Sequence, residues 1–290
     1  MKMKRSEKLG MFTGLVVGVL LLLISVFMIF QTTCKVWGAE KPANATQQGI
    51  DVSSHQGKID WEQVKNSALA DYAIIRCGYG VNQTDKDDKY WDYNSSECER
   101  LGIPYGTYLY SGADTTAKAK SEAEHVVRLL QGKNLTYPIY YDMEADMLNQ
   151  LSSTQIGNIA KTFLNTMESY GYKNVAVYSN KYLFETKLTA SVFSDYPKWI
   201  AQHSNKCTYQ GSYHMWQYST QGVIPGISEK VDLNYKIGNW TYAGYSSAKK
   251  TVVVKPKATT IKSLRKSGKK AVKITYKKVS GVSGYQIYMS

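Results

Sequence analysis

The stretch Tyr137-Pro-Ile-Tyr-Tyr-Asp142-Met-Glu144-Ala-Asp146 is an apolar, aromatic run that ends in acidic residues. Because side chains alternate faces along a strand, we expect Asp142 and Glu144 to point the same way as Tyr140 and opposite to Met143. Neighbouring carboxyl groups disfavour each other's ionisation, and this coupling suits acid–base chemistry. The pattern is equally typical of a solvated turn with surface acids, so the stretch alone leaves both interpretations open.

Alternating strand-like and helix-like segments surround this stretch. From Gly49 onward, apolar runs such as 72–77 alternate with helical patterns such as 116–130. Beyond residue 174 the pattern turns strand-rich. This order predicts an α/β fold: an irregular (β/α) barrel of the TIM-barrel type, mostly parallel, with a shortened end. His125, on the helix at 116–130, is expected at the surface or at its boundary.

Four acidic residues fall at the ends of predicted strands. Asp51 lies at the end of the first strand, Asp142 and Glu144 at the end of the fourth, and Asp232 at the end of the last. Active sites of such barrels gather at the carboxyl ends of the strands. Closure would make the first and last strands neighbours, so all four carboxyl groups are expected to face one mouth.

Aromatic residues also lie near these strand ends: Tyr108, Tyr110, Trp199, Trp216 and Tyr218. Aromatic faces stack well on sugar rings, so their combination with acids predicts a saccharide cleft. For each single aromatic residue, packing in the core is the alternative.

The formal net charge of +13 belongs to the two ends of the chain. Residues 241–290 carry twelve Lys or Arg and no Asp or Glu, residues 1–41 are also basic, and residues 42–240 are slightly acidic. The acidic middle argues against a nucleic-acid partner for the predicted barrel.

The amino terminus has the pattern of a membrane segment. A basic stretch precedes residues 11–30, which contain no charged residue. Twenty helical residues rise about 30 Å, enough to cross a bilayer, and the basic flank should stay in the cytoplasm. Residues 1–41 are thus expected to be a basic stub, a transmembrane helix and a spacer, which would place the barrel outside at the cell membrane. A cleaved signal peptide, and hence a secreted protein, is the alternative.

The cysteines and histidines predict no metal centre. Cys77 and Cys98 could form a disulfide outside the cell, although two buried thiols fit the sequence as well. The four histidines show no metal-ligand spacing, and no glycine-rich phosphate-binding loop is found.

Six motifs occur in the order found in glycoside hydrolase family 25, the Chalaropsis-type lysozymes or N-acetylmuramidases. They are Gly49-Ile-Asp-Val-Ser-Ser-His-Gln-Gly57, Ile74-Ile-Arg-Cys-Gly-Tyr-Gly80, Gly102-Ile-Pro-Tyr-Gly106, Tyr141-Asp-Met-Glu144, Trp216-Gln-Tyr218 and Val231-Asp-Leu-Asn234. Residues 47–240 resemble this family. The resemblance implies hydrolysis of the β-1,4 bond between N-acetylmuramic acid and N-acetylglucosamine in peptidoglycan glycan strands, without a metal or organic cofactor.

The resemblance also implies roles for single residues. Glu144 matches the family's proton donor, Asp142 its partner acid, and Asp51 and Asp232 the acids of the first and last strands. Trp216 and Tyr218 match part of its saccharide-lining wall. Apart from the resemblance, we also expect substrate contacts from Arg76, Tyr108, Tyr110 and Trp199.

Three catalytic routes are open for the second carboxyl group: direct attack, activation of water, or support of the substrate's own acetamido group. We favour the third, with Asp142 orienting the acetamido group and net retention of configuration. The alternative function is a non-catalytic cell-wall-binding or adhesion protein that uses the same cleft.

The carboxyl-terminal residues predict a small second module. Residues 241–257 read as a linker, and residues 258–290 alternate polar and apolar positions at 258–264, 271–276 and 284–288. The segment 277–288 resembles the middle of fibronectin type III modules, which implies a partial β-sandwich. Its basic residues could bind anionic wall polymers, or they could form a solvated lysine-rich spacer.

Overall fold

A closed barrel of eight strands organises the larger part of the chain. The computed structural model describes residues 39–240, 261–267 and 272–277. The barrel strands, which neighbour each other in chain order, are β1 (Ala45–Val52), β2 (Tyr72–Tyr79), β3 (Tyr105–Tyr110), β4 (Ile139–Asp142), β5 (Val175–Asn180), β6 (Lys198–Ala201), β7 (Met215–Gly222) and β8 (Val231–Ile237).

The strands β1 to β7 pair in parallel, whereas β8 runs antiparallel to both β7 and β1. The reversed strand closes the barrel where the repeating strand–helix pattern stops. The predicted α/β barrel, mostly parallel with an irregular end, is thereby confirmed.

Six helices accompany the barrel strands within residues 39–240: α1 (Trp61–Ser67), α2 (Trp91–Leu101), α3 (Thr116–Leu129), α4 (Ser153–Ser169), α5 (Lys181–Thr186) and α6 (Val192–Asp195). Asp60 caps α1, as its carboxylate accepts the backbone N–H of Gln63 at 3.1 Å. Helix α2 ends at Gly102, whose φ of 66° favours glycine. The short helices α5 and α6 were not expected from the sequence.

Side chains of the strands alternate between the barrel interior and the layer beneath the helices. On β4, Tyr140 packs inside, where its ring lies 4.9 Å from that of Trp199. Tyr141 points outward and stacks on Phe163 of α4 at 3.8 Å. Burial of each such side chain stabilises the folded state by about 1.5–3 kcal/mol relative to leaving it exposed. The outward position of Met143, in the same layer as Tyr141, confirms the expected alternation through the acidic stretch.

Cys77 and Cys98 are buried free thiols. Of the two predicted alternatives, a disulfide or a pair of buried thiols, the second is confirmed. The thiol of Cys77 donates to the backbone oxygen of Tyr108 at 3.3 Å, and burial raises its pKa to about 12. Both thiols are therefore unreactive parts of the core.

His125 is fully buried, which corrects its expected place at the surface. Its Nδ1 lies 3.0 Å from the carbonyl oxygen of Gly80, and its Nε2 lies 2.7 Å from Oδ1 of Asp87. Both partners are acceptors, an arrangement that a doubly protonated imidazole satisfies. Arg128 also donates to Asp87, through Nη1 at 2.9 Å. Helix periodicity cannot reveal such a burial, because the partner loop approaches from a distant part of the sequence.

Within residues 39–240, 261–267 and 272–277, no helix has the length and apolar character that a membrane crossing needs. The predicted membrane segment at 11–30 lies outside the described residues.

A second unit, Lys249–Ser290, is described by two strands. Strands β9 (Ile261–Lys266) and β10 (Val272–Tyr276) pair antiparallel. They match two of the three strands predicted there. The third predicted strand, at 284–288, the linker at 241–257 and most of the segment that resembles fibronectin modules lie outside the described residues.

Replacing Asp87 by asparagine is expected to destabilise the barrel at pH 7. Burial acts to raise the pKa of Asp87, but hydrogen bonds from Arg128 and His125 outweigh it, and the pKa is lowered. A lowered pKa means that the carboxylate stabilises the fold above its unfolded pKa of about 3.9 and loses this effect as the pH falls through its folded pKa. Since the carboxylate is a quarter exposed, we expect Asp87→Asn to cost about 1–2 kcal/mol of unfolding free energy.

Denaturant unfolding of the full chain at pH 7 and at pH 3 measures this loss. The control is Asp114→Asn, which removes an exposed ion pair with Lys118. An Asp87→Asn deficit that is equal at both pH values would contradict the ion-pair account.

Candidate active site

Two acids face each other where β1 and β8 pair. Asp51 and Asp232 are direct partners in the antiparallel register. The sequence placed Asp232 at the end of the last strand, but it lies at the start of β8. Because β8 is reversed, its start reaches the same mouth as the end of β1. Asp51 and Asp232 are therefore neighbours, as expected, but they meet because β8 is antiparallel and not because both residues end a strand.

Gln217 of β7 connects these two acids, and the sequence reasoning missed it. Its Nε2 donates to Oδ2 of Asp51 at 3.0 Å and to Oδ2 of Asp232 at 3.2 Å. Its Oε1 accepts from the hydroxyl of Tyr178 at 3.0 Å and lies 3.0 Å from Nε2 of His203. Strand alternation could have found it, since Gln217 lies between two aromatic residues that share the other face.

Asn234 is a second missed residue, two positions after Asp232 and on the same face. Its side-chain N–H donates to Oδ2 of Asp51 at 2.7 Å, and its oxygen accepts the indole N–H of Trp199 at 2.8 Å. Trp199 is thus fixed in the barrel interior through Asn234, directly behind Asp51.

Asp142 and Glu144 extend the acidic group from β1 and β8 to the end of β4. Asp142 pairs in register with Tyr110 on β3 and Tyr178 on β5. It is 3% exposed, and its Oδ1 has no hydrogen-bond partner among the described residues. A buried carboxylate oxygen without a partner is costly, so this atom is available to a ligand. Glu144 is half-buried.

Burial and mutual repulsion raise the pKa of all four carboxyl groups. Burial, then Glu144 and Asp51, raise the pKa of Asp142 well above its usual value, which Arg76 partly offsets. Burial, then Asp51, raise the pKa of Glu144. Burial and Glu144 raise the pKa of Asp232 to about 6.

Asp51 has a raised pKa as well, from burial and then from Asp232. The four carboxyl groups therefore hold their protons to higher pH than free carboxyl groups do, which is what general acid–base chemistry needs.

Arg76 carries a positive charge that lowers the pKa of Asp142, but its side chain is held by another carboxylate. Its Nε donates to Oδ2 of Asp88 at 2.9 Å, and its Nη2 donates to Oγ of Ser54 at 2.9 Å. The side chain of Asp88 is fully buried. The guanidinium is thus fixed in place and acts on Asp142 through its charge.

The predicted aromatic residues separate into two groups. Tyr108 and Trp199 meet edge-to-face at 6.3 Å in the barrel interior, and Tyr110 is half-buried beside Asp142. Trp216 and Tyr218 lie on the outer face of β7. Trp216 is fully buried there, and Tyr218 stacks on a tyrosine of β8 at 4.4 Å. The structure does not bring these two to the acids.

In the described parts of the chain, no group of three His, Cys, Asp or Glu residues is arranged to hold a metal ion.

A closed (β/α) barrel with paired carboxyl groups at its strand ends defines a class of protein, the barrel-type glycoside hydrolases. The sequence profile of the glycosyl hydrolases family 25 matches residues 50–227, and the chain belongs to that family.

Curated relatives include two lysozymes. The autolytic lysozyme of Clostridium acetobutylicum is 30% identical over 188 residues, which cover 64% of this chain and 55% of the relative. Lysozyme M1 of Streptomyces globisporus is 28% identical over 201 residues, covering 64% of this chain and 66% of the relative.

Solved structures show the same barrel. The modular autolysin LytC of Streptococcus pneumoniae matches with a TM-score of 0.60 and 33% identity over 65% of this chain and 46% of that chain. This chain thus spans about half of the autolysin. A family 25 glycosyl hydrolase of Bacillus anthracis matches with a TM-score of 0.61 over 71% of this chain and 95% of that chain, at 20% identity, and supports the fold alone.

Replacing Asp142 by asparagine is expected to stabilise the protein at pH 7. The raised pKa means that the unfolded state ionises first as the pH rises, so this carboxyl group costs stability above its unfolded pKa. The amide keeps the shape and removes the repulsion from Glu144 and Asp51. We expect the Tm to rise by about 3 °C at pH 7, equivalent to about 1 kcal/mol.

Calorimetry at pH 7 and pH 4 tests this expectation. The gain should shrink at pH 4, where the wild-type carboxyl group is protonated in the folded state and about half protonated in the unfolded state. A lower Tm of Asp142→Asn at pH 7 would contradict the account.

Proposed function

We propose that residues 42–240 form a peptidoglycan hydrolase, a lysozyme that cleaves the β-1,4 bond between N-acetylmuramic acid and N-acetylglucosamine. The observation that carries this proposal is the acidic group around Asp142 and Glu144, whose carboxyl groups retain protons at one end of the barrel. Membership of family 25 and the relatives named lysozyme support it. A structure of the LytC autolysin in complex with a synthetic peptidoglycan ligand supports the substrate class.

Glu144 is the proposed general acid. It is half-buried, so it can reach the substrate, and its raised pKa favours the protonated form that a general acid needs. It donates this proton to the glycosidic oxygen as the bond from that oxygen to C1 breaks. The resulting carboxylate then takes a proton from the incoming water.

Asp142 is the proposed partner that orients the acetamido group of the muramic acid. Its unpartnered Oδ1 accepts the acetamido N–H, while the acetamido oxygen forms a bond to C1 and displaces the leaving sugar. Positive charge then develops on the acetamido group. That charge and Arg76 both favour the ionised form of Asp142. Water attacks C1 from the face that the leaving sugar vacated, so the configuration is retained.

Asp51 and Asp232 are proposed to stabilise positive charge at the sugar ring from the opposite wall. Gln217 holds both in a fixed position. Tyr110, half-buried beside Asp142, is the aromatic residue that we assign to direct sugar contact, with Tyr108 beneath it and Trp199 fixed behind Asp51.

The proposed substrate places the enzyme outside the cytoplasmic membrane, because peptidoglycan lies there. A secreted or membrane-anchored form fits the apolar stretch at 11–30, and the basic residues of 241–290 are proposed to attract anionic wall polymers.

Replacing Glu144 by glutamine should abolish hydrolysis. The amide cannot donate the proton, so we expect a loss of at least about 100-fold in kcat on purified peptidoglycan, measured as new reducing ends on muramic acid. The matched control is Glu62→Gln, which removes an exposed carboxylate on α1 and should leave the rate unchanged.

Glu144→Gln should still bind peptidoglycan and unfold at the wild-type temperature or above. Wild-type protein that binds peptidoglycan without releasing reducing ends would instead favour the wall-binding or adhesion alternative.

The acetamido mechanism predicts retention and a requirement for the acetyl group. Proton NMR during hydrolysis should show the β-anomer of the product first. Peptidoglycan whose muramic acid has been de-N-acetylated should resist cleavage, because the internal nucleophile is gone. An initial α-anomer would exclude this mechanism and favour direct activation of water.

A further inference from the structure

His203 follows strand β6 and lies at the mouth of the barrel, where its side chain is exposed. Its Nε2 reaches inward to Oε1 of Gln217 at 3.0 Å, and Gln217 itself is 3% exposed. An exposed, titratable ring is thus bonded directly to the buried amide that holds Asp51 and Asp232.

The side-chain nitrogen of Gln217 faces the two acids. Its two N–H donors point at the carboxyl oxygens of Asp51 and Asp232, which accept. Its oxygen therefore faces Tyr178 and His203, and its two lone pairs receive one bond from each. With the amide in this orientation, Nε2 of His203 carries the proton and donates it to Oε1 of Gln217.

We propose that His203 is a positioning residue for the reaction proposed above. It locks the amide of Gln217 through its Nε2–H, and in its doubly protonated form it brings a positive charge within reach of Glu144 and Asp51. This inference rests on the proposed function, and it concerns a residue outside the four acids.

The electrostatic surroundings agree with this geometry. Ionisable groups from several strands surround His203 and its partner Gln217: Glu144 after β4, Asp51 on β1, Asp232 on β8 and Tyr178 on β5. Among these, the charge of His203 lowers the pKa of Glu144 and of Asp51, against the larger opposite effect of burial. Arg76 acts on Asp142 instead. Arg76 and His203 thus act on different carboxyl groups.

Two substitutions in the full chain separate the hydrogen bond from the charge. His203→Gln keeps an N–H donor of similar reach and removes the charge, whereas His203→Ala removes both. We expect His203→Ala to lower kcat on purified peptidoglycan by about 5-fold, the value of one hydrogen bond, and His203→Gln to stay within about 2-fold of wild type. The control is His55→Gln, which alters an exposed histidine whose ring takes no part in the hydrogen bonds of the acidic group described above.

Both variants should also shift the titration of Glu144. Removing the positive charge raises the pKa of Glu144, so Glu144 keeps its proton to higher pH. The alkaline limb of the pH–rate profile therefore moves to higher pH. Carbon-13 NMR of the glutamate carboxyl groups, assigned with Glu144→Gln, measures this shift without any activity.

The inference is overturned if His203→Gln leaves the titration of Glu144 unchanged, or if His203→Gln loses as much kcat as His203→Ala. If the wild-type protein releases no reducing ends, the proposed function fails, while the NMR titration still decides whether His203 acts on Glu144.

Discussion

The antiparallel pairing of β8 with β1 is the constraint on which the site depends. A barrel of parallel strands alone would carry the start of its last strand to the end remote from Asp51. Reversal brings Asp232 directly opposite Asp51 and lets Gln217 on β7 bond to both. Burial in the barrel mouth is the largest cause of the raised pKa values of Asp51 and Asp232, and the charge of Asp232 then raises the pKa of Asp51 further.

This arrangement of acids lowers the stability of the folded state, and the packing and hydrogen bonds around it offset the loss. Four carboxyl groups with raised pKa values destabilise the folded state near neutral pH, as groups poised for catalysis commonly do. The interior beneath them is filled by Tyr140, Tyr178 and Trp199, whose rings contact one another. This aromatic packing and the hydrogen bonds of Gln217 and Asn234 hold the acids in positions that repulsion alone would not permit.

Much of this could be predicted from the sequence, because it depends on local periodicity. Alternation along the acidic stretch placed Asp142 and Tyr140 on the inner face, and the repeated strand and helix pattern predicted the barrel. On β7 the same alternation turns Trp216 and Tyr218 outward and points Gln217, which lies between them, at the acids. The burial of His125 could not be predicted, because it depends on a loop more than thirty residues away in the sequence.

The adjacent acids Asp87 and Asp88 give the loop between β2 and α2 an unusual property. Asp87 binds His125 and Arg128 on the helical layer, whereas Asp88 binds Arg76 and the backbone of Ser54 at the mouth. Surface loops ordinarily tolerate insertions and deletions as sequences diverge. Here, the insertion or deletion of a single residue would move both carboxylates away from their present partners. The length of this loop should therefore be as restricted as that of a strand.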